Sequence, residues 1–285
     1  MTWVLLSLLT AFSLSTADAL SKRALRSTDE IVIVWVREAY AMPFVALTLF
    51  FVPIPTLDPM FFITLLVLLP LEVAALILYV KAIKISPLSL TVPFMALSPI
   101  FIIVIAFFML DEVPDKSGFA GITLIVVGAY LLNASASKHG LFGPLKAIGK
   151  EKGSLLMIIV AIIYAITSTL GKIAVNHSSP VFFGFMYPLI LTLILTVIIG
   201  RKGKLREGFS RPTTFIPIGF FTSVMMVSHF MAISMIDVAY MISVKRLSLI
   251  MSVFYGWALF KEERIRERLL GSIIMLVGVI LITAF

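Results

Sequence analysis

Cysteine is absent from this 285-residue chain, which rules out disulfides and thiolate-bound metals without identifying a compartment. Charge is scarce as well. Only 13% of residues are Asp, Glu, Lys or Arg, about half the share in an ordinary soluble domain. The three histidines, His139, His177 and His229, are too scattered for a metal centre. There is no HExxH helix, Walker loop or Gly-x-Ser-x-Gly elbow, so the chain reads as a non-enzyme with no cofactor or metal. ATP coupling would require another subunit. What fills the chain is apolar: 60% hydrophobic residues, with 23 Phe and 14 Met, and a mean hydropathy of +1.11. One water-soluble core cannot hide that much apolar surface, so the expectation is an all-α, polytopic membrane protein in a lipid bilayer.

The net charge of +8 does not signal nucleic acid. The basic residues lie mostly in short gaps between apolar runs, and no basic polar face is interleaved with aromatics. A bilayer core needs roughly 20 apolar residues as helix. Ten runs qualify: Thr2–Leu20, Ile31–Val52, Met60–Ile83, Leu88–Leu110, Gly118–Asn133, Ser154–Val175, Val181–Ile199, Phe215–Met235, Val238–Phe260 and Leu269–Phe285. Pro53-Ile-Pro55, Ser86-Pro87 and Ser179-Pro180 punctuate the breaks. Ala17-Asp18-Ala19 resembles a signal-peptidase site, but no Lys or Arg precedes the first run, so it is read as a retained span.

The chain repeats itself. An offset of 150 aligns Leu5-Leu6 with Leu155-Leu156, Ala11 with Ala161, Leu20 with Leu170, Lys22 with Lys172 and Ala24 with Ala174. The same offset sets Gly121, Val127, Gly128 and Leu131 on Gly271, Val277, Gly278 and Leu281. An offset of 151 sets Asp111-Glu112 on Glu262-Glu263. A common offset at both ends of each half indicates an internal repeat: residues 1–137, a linker at 138–153, and residues 154–285.

Five spans per repeat is an odd number, so the halves must have opposite orientations. Charge agrees. The loops after spans 1, 3, 5, 7 and 9 hold 18 Lys and Arg, whereas the opposite side holds only Lys116. By the positive-inside rule those loops are cytoplasmic and both termini external, in the cytoplasmic (inner) membrane. Inverted repeats around a midplane site are a recurrent transporter architecture.

Ala82-Ile-Lys-Ile-Ser-Pro-Leu-Ser-Leu through Leu110-Asp-Glu112, followed by Gly121-x6-Gly128, resembles the end of an EamA-type repeat. Ser243-Val-Lys-Arg-Leu-Ser through Lys261-Glu-Glu263, followed by Gly271-x6-Gly278, resembles it too. The resemblance is to the drug/metabolite transporter superfamily and covers nearly the whole chain. It implies ten spans in two repeats, with spans 1–4 and 6–9 around a central cavity and spans 5 and 10 peripheral. Substrates across the family include amino acids, amines, nucleotide sugars, sugar phosphates and drugs. Lys245-Arg246 is similar to the Lys-Arg pair that triose-phosphate and related translocators use for phosphate, and Lys172 resembles the additional basic residue of that site. Many EamA-type proteins are drawn with cytoplasmic termini, a departure from the charge count here.

Charged side chains within spans cost about 2.5–3.5 kcal/mol at the helix centre, so each calls for a reason. Lys245, Ser248, Ser252 and Tyr255 form one polar stripe at helical spacing in span 9. Lys245 reads either as a cavity anchor or as a lysine snorkelling to the interface. Arg246 points about 100° away and is free to pair across helices. Glu72 in span 3, with Tyr79 on its face, is open to pairing with Arg37 or Lys245, to a cationic substrate, or to a coupling proton. Arg37 is placed facing the cavity, Glu38 in a local cap or pair, and Asp18 with Lys22 as an i,i+4 ion pair. His229 reads as a hydrogen-bonded structural residue or a titratable cavity group. Gly121, Gly128, Gly271 and Gly278 suit close helix packing.

The expected function is secondary-active transport of a small polar metabolite, leaning to an organic anion or zwitterion, by alternating access. The candidate binding residues are Lys245, Arg246, Arg37, Lys172, Glu72, Tyr79, His229, Ser248 and Ser252. The partners expected are the substrate, the bilayer, and a coupling proton or counter-substrate, in a monomer or homodimer. The alternatives are an amino-acid, amine or drug exporter of the same fold, or a non-transporting sensor or lipid-linked-sugar flippase subunit.

Overall fold

The computed structural model describes residues 1–48, 54–86, 91–134, 152–260 and 265–284, and among these there is no β-strand. The expected linker falls outside them except for Lys152 and Gly153, as do Pro53, Pro87, His139 and Lys261 to Arg264. The first half contains α1 (Thr2–Ala24), α2 (Glu30–Ala39), α3 (Met42–Ala46), α4 (Pro59–Ile85), α5 (Ser98–Leu110) and α6 (Lys116–Ala134). The second contains α7 (Lys152–Asn176), α8 (Pro180–Arg201), α9 (Pro212–Ile233), α10 (Val238–Lys245), α11 (Ser248–Phe260) and α12 (Ile265–Ala284). Short 3-10 segments occupy Val92–Leu97 and Leu205–Phe209.

Among the described residues, six stretches are long and apolar enough to cross a bilayer: α1, α4, α7, α8, α9 and Val238–Leu259. Phe94–Leu110, Lys116–Leu131 and Ile273–Ile282 are shorter apolar helices. The second expected span is not one continuous helix. It stops at Ala39 and restarts at Met42, where Pro43 sits in the first turn and supplies no backbone N–H to a preceding carbonyl. Local chemistry sets other ends. Asp58 caps α4 by accepting from Phe61 N–H at 3.1 Å, and Ser179 caps α8 by accepting from Phe182 N–H at 3.2 Å, each followed by Pro at N1.

The packing exchanges the two halves. α1 packs along α9, and its counterpart α7 packs along α4, the counterpart of α9. α2 meets α8, and α6 meets α12, so each of these pairs maps onto itself. The α6–α12 seam shows the exchange atom by atom. A Cβ on Gly121 would lie 2.6 Å from the Gly278 carbonyl oxygen, and one on Gly128 would lie 2.6 Å from that of Gly271. Only glycine permits backbones this close. The arrangement has the signature of a pseudo-twofold axis.

Polarity is inside out relative to a soluble protein. Leu66, Phe108, Leu193 and Ile280 are exposed, while Asp18, Arg37, Glu38, Arg246 and many Ser and Thr are buried. Lipid is as apolar as leucine, so apolar faces turn outward and polar groups turn toward one another.

Candidate functional site

The two halves break at equivalent positions. The 3-10 segment Val92–Leu97 precedes α5, and 150 residues later the helix tightens at Arg246-Leu247 before α11 begins at Ser248. There the bonds run Leu247 N–H to Val244 O (3.0 Å) and Leu249 N–H to Arg246 O (2.9 Å), the short-pitch pattern. The expected uninterrupted stripe in span 9 is thus divided. Lys245 and Ser248 face an internal cavity, Ser252 Oγ is buried without a hydrogen-bond partner, and Tyr255 shares a 2.8 Å hydrogen bond with Thr16. The breaks are joined directly. Arg246 donates to Ser98 Oγ through Nε (3.0 Å) and Nη2 (2.5 Å), and Ser98 is the repeat equivalent of Ser248.

The cavity has a volume of about 110 Å³, and every residue lining it is buried or half-buried. Arg37, Glu38, Glu72, Tyr79, His229, Lys245, Arg246 and Ser248 contribute its polar surface, together with Tyr164, Thr167, Ser168 and Tyr187. Its apolar wall is aromatic. The Phe183 ring stacks on Tyr187 at 5.4 Å and meets Phe230 edge-on at 4.8 Å. Pro70 in α4 and Pro188 in α8 lie within two residues of Glu72 and Tyr187, where each proline deprives its helix of one backbone hydrogen bond.

The polar groups fall into two sets. One is closed. Arg37 Nη1 donates to Asp18 Oδ1 at 2.7 Å, Tyr79 O–H donates to Asp18 Oδ2, and the guanidinium carbon lies 5.6 Å from the Tyr79 ring centroid. Asp18 therefore turns to Arg37 rather than along its helix to Lys22, and Arg37 pairs with Asp18 rather than with Glu72. The second set is open. Glu72 lies beside the hydroxyls of Thr167 and Tyr187, with Lys245 acting on it through space. Among the described residues Lys245 has no carboxylate within ion-pair distance. Glu38 Oε2 and His229 Nδ1 are buried without a hydrogen-bond partner among the described residues.

Seven of the nine residues singled out from sequence therefore share one cavity. Ser252 is not part of its lining, and Lys172 stands apart at the ends of α5 and α9. There it pairs with Glu112 and donates to Ile236 O at 2.9 Å, while Glu112 accepts from Val238 N–H at 2.9 Å. Lys22 makes the matching contact in the first half, donating to Ile83 O and, at 2.6 Å, to Ser86 O, the position 150 residues before Ile236. Five polar cavity residues escaped the sequence reading in that role: Glu38, Tyr164, Thr167, Ser168 and Tyr187. The available signal for Glu38 was the cost of a carboxylate within a span, the same signal that singled out Glu72.

A family model described as the EamA-like transporter family matches residues 1–134 and again residues 151–284. A solved structure, titled only as a crystal structure of a protein, superposes with a TM-score of 0.72. The alignment covers 99% of this chain and 96% of that one at 14% identity, a likeness of fold alone. No curated protein sequence gives a significant match.

Proposed function

The chain belongs to the EamA-like transporter family, which makes it a multi-pass membrane transporter of the drug/metabolite type, and on that premise we propose that it is a secondary-active carrier of a small zwitterion or organic anion. One observation carries the reading. The buried cavity lies where both halves break, and its lining brings Glu72 together with Lys245, which has no carboxylate within ion-pair distance among the described residues. Lys245, with Arg246 behind it, takes the anionic end of the substrate, and Glu72 takes a cationic end where there is one. Arg37 and Tyr79, held by Asp18, shape the wall, while His229 and Ser248 supply neutral hydrogen bonds. A volume of about 110 Å³ favours a small metabolite over a drug-sized ligand, which needs about 300–1,000 Å³. A lipid-linked substrate would need a groove open to the apolar exterior, and no exposed residue lines this cavity.

Transport by alternating access follows from the repeat. If the pseudo-twofold axis lies in the membrane plane, exchanging the conformations of the halves moves the opening from one side to the other. With the basic loops cytoplasmic, both termini are external and the membrane is the inner one. Lys172 then closes the outer end and Lys22 the inner.

The test is a thermal-shift screen of detergent-purified protein against amino acids, amines, carboxylates and sugar phosphates, followed by counterflow of the hits in liposomes. A ligand carrying an anionic group should stabilise wild type and not Lys245→Ala, because selective binding to the folded state raises its apparent stability. Equal stabilisation of both proteins by amines alone would overturn the Lys245 assignment and move recognition to Glu72.

A further inference from the structure

Arg37 Nε, Glu38 Oε2 and His229 Nδ1 all belong to cavity-lining residues and are buried without a hydrogen-bond partner. They are not equivalent. The charge of Arg37 is already met by Asp18. A neutral imidazole nitrogen forfeits one ordinary hydrogen bond. Glu38 is a carboxyl group only 2% exposed, and an ionised carboxylate buried without donors is among the least tolerable groups in a protein interior.

Among the described residues, none donates to that oxygen. Arg37 neighbours it on α2, Glu72 and Tyr79 face the cavity from α4, Tyr164 from α7, Tyr187 from α8, His229 from α9, and Lys245 and Arg246 from the break before α11. Tyr79 donates to Asp18 and Arg246 to Ser98, while Tyr187 stands beside Glu72. Glu38 feels both the Arg37 charge beside it, which Asp18 already neutralises, and the negative charge of Glu72. The smallest species that relieves an unanswered carboxylate oxygen beside another carboxylate is a proton.

We infer that Glu38 is the proton-binding site of this carrier, and that its proton and the cationic end of the substrate occupy the cavity in turn, so that transport is a proton exchange. The inference rests on the carrier reading above. Both species neutralise the same pair of carboxylates, so they compete. When the substrate's cation enters, the Glu38 O–H bond breaks, the proton passes to water on the open side, and the carboxylate holds the cation. On the opposite side the cation leaves and a proton from water re-forms the O–H bond.

The closing experiment needs no substrate for its first arm. Acid-minus-alkaline infrared difference spectra of the purified protein in H2O and D2O should show a deuterium-sensitive carbonyl band from a protonated carboxyl group in an apolar setting. Glu38→Gln should remove that component, Glu38→Asp should retain it at a shifted frequency, and Glu72→Gln should leave it in place. A band undiminished in Glu38→Gln would overturn the inference, and survival of the band in Glu38→Asp separates this from misfolding. The second arm imposes a pH gradient on liposomes containing whichever amino acid or amine shows counterflow. Wild type and Glu38→Asp should accumulate it, and Glu38→Gln should not. Counterflow with no response of wild type to the gradient would overturn the coupling and leave the carrier standing. Absence of counterflow for every compound would overturn the carrier reading and the coupling together, leaving the infrared result to decide the proton site.

Discussion

Lys172 and Lys245 are both ammonium groups on apolar helices of the second half, and the fold treats them in opposite ways. Lys172 is fully engaged by the Glu112 carboxylate and the Ile236 carbonyl, and Glu112 in turn takes the Val238 N–H. Lys245 has a cavity in front of it, Arg246 as its like-charged neighbour, and Glu72 acting from a distance. The Asp18–Arg37 pair stands between these cases: it borders the cavity, its carboxylate is met by Arg37 and Tyr79, and only Arg37 Nε lacks a partner among the described residues. Charges that hold helices together have short, mutual contacts, whereas the charge we propose is offered to a ligand is the one left without them. Proximity to the cavity alone does not separate the two classes.

The largest effect expected on the fold comes from opening the closed pair. Arg37→Leu leaves the Asp18 carboxylate buried with its cation gone and should cost about 3–5 kcal/mol. The double variant Asp18→Leu/Arg37→Leu should recover most of that loss, since a well-packed apolar pair is often as stable as the ion pair it replaces. Lys245→Met, by contrast, should leave stability unchanged or raise it, because it removes a cation that lacks a close partner. Thermal unfolding of the four proteins in one detergent measures the ordering. Comparable losses from Arg37→Leu and Lys245→Met would erase the distinction between structural and ligand-directed charge.

The rim pair should fall in the middle. Lys172→Met leaves Glu112 with only its backbone donor, and removing one partner of a half-buried charged group costs about 1–3 kcal/mol. The same substitution should not weaken ligand stabilisation of the unfolding midpoint, since Lys172 is outside the cavity. A loss of ligand stabilisation equal to that of Lys245→Ala would return Lys172 to the binding site. A smaller effect of opposite sign is available next door. Asp111 ends α5 at φ 56, the only left-handed non-glycine position among the described residues. That turn swings Glu112 back over the helix end, where its N–H reaches Ala106 O at 3.3 Å. Asp111→Gly relaxes the backbone without moving the turn and should stabilise the fold by up to about 1 kcal/mol.

What the sequence disclosed depended on range. The apolar runs, the offset of 150 and the glycine pairs are regularities of the chain itself, and the helices and the α6–α12 seam follow them. The cavity was legible through the cost of charge in a span, which singled out Lys245, Arg246, Arg37 and Glu72. Partners were not legible. Lys172 meets an acid 60 residues away, and Asp18 chose an arginine on the next helix over the lysine one turn along its own. Glu38 was misread for the same reason: with Arg37 beside it a local pairing was cheap to assume, whereas α2 turns the arginine to Asp18 and leaves Glu38 toward the cavity. Tyr164 and Tyr187 gave no signal at all, because an aromatic residue within an apolar span looks like any other.

The smallest effect tests whether rim charges at the opposite end obey the same rule when they are exposed. Asp29 accepts from Lys204 and from the Ile31 N–H at 3.0 Å, and its own N–H donates to Glu207 at 3.1 Å. Burial pushes its carboxyl up, but the Lys204 hydrogen bond and charge together with the Ile31 N–H outweigh burial and hold it below the ordinary value of 3.8. A carboxylate lowered in the folded state adds stability that is present above pH 3.8 and disappears as pH falls through the lowered value. Wild type should therefore lead Lys204→Met slightly in thermal midpoint at neutral pH, and the lead should close in acid. Both side chains are partly solvated, so the gap should also shrink with added salt. The Asp18–Arg37 pair, shielded from ions, should show no such salt response. A lead that persists unchanged in acid and in salt would mean that Lys204 acts through packing of its stem, and that the contrast between paired and unpaired charges does not extend to the exposed rim.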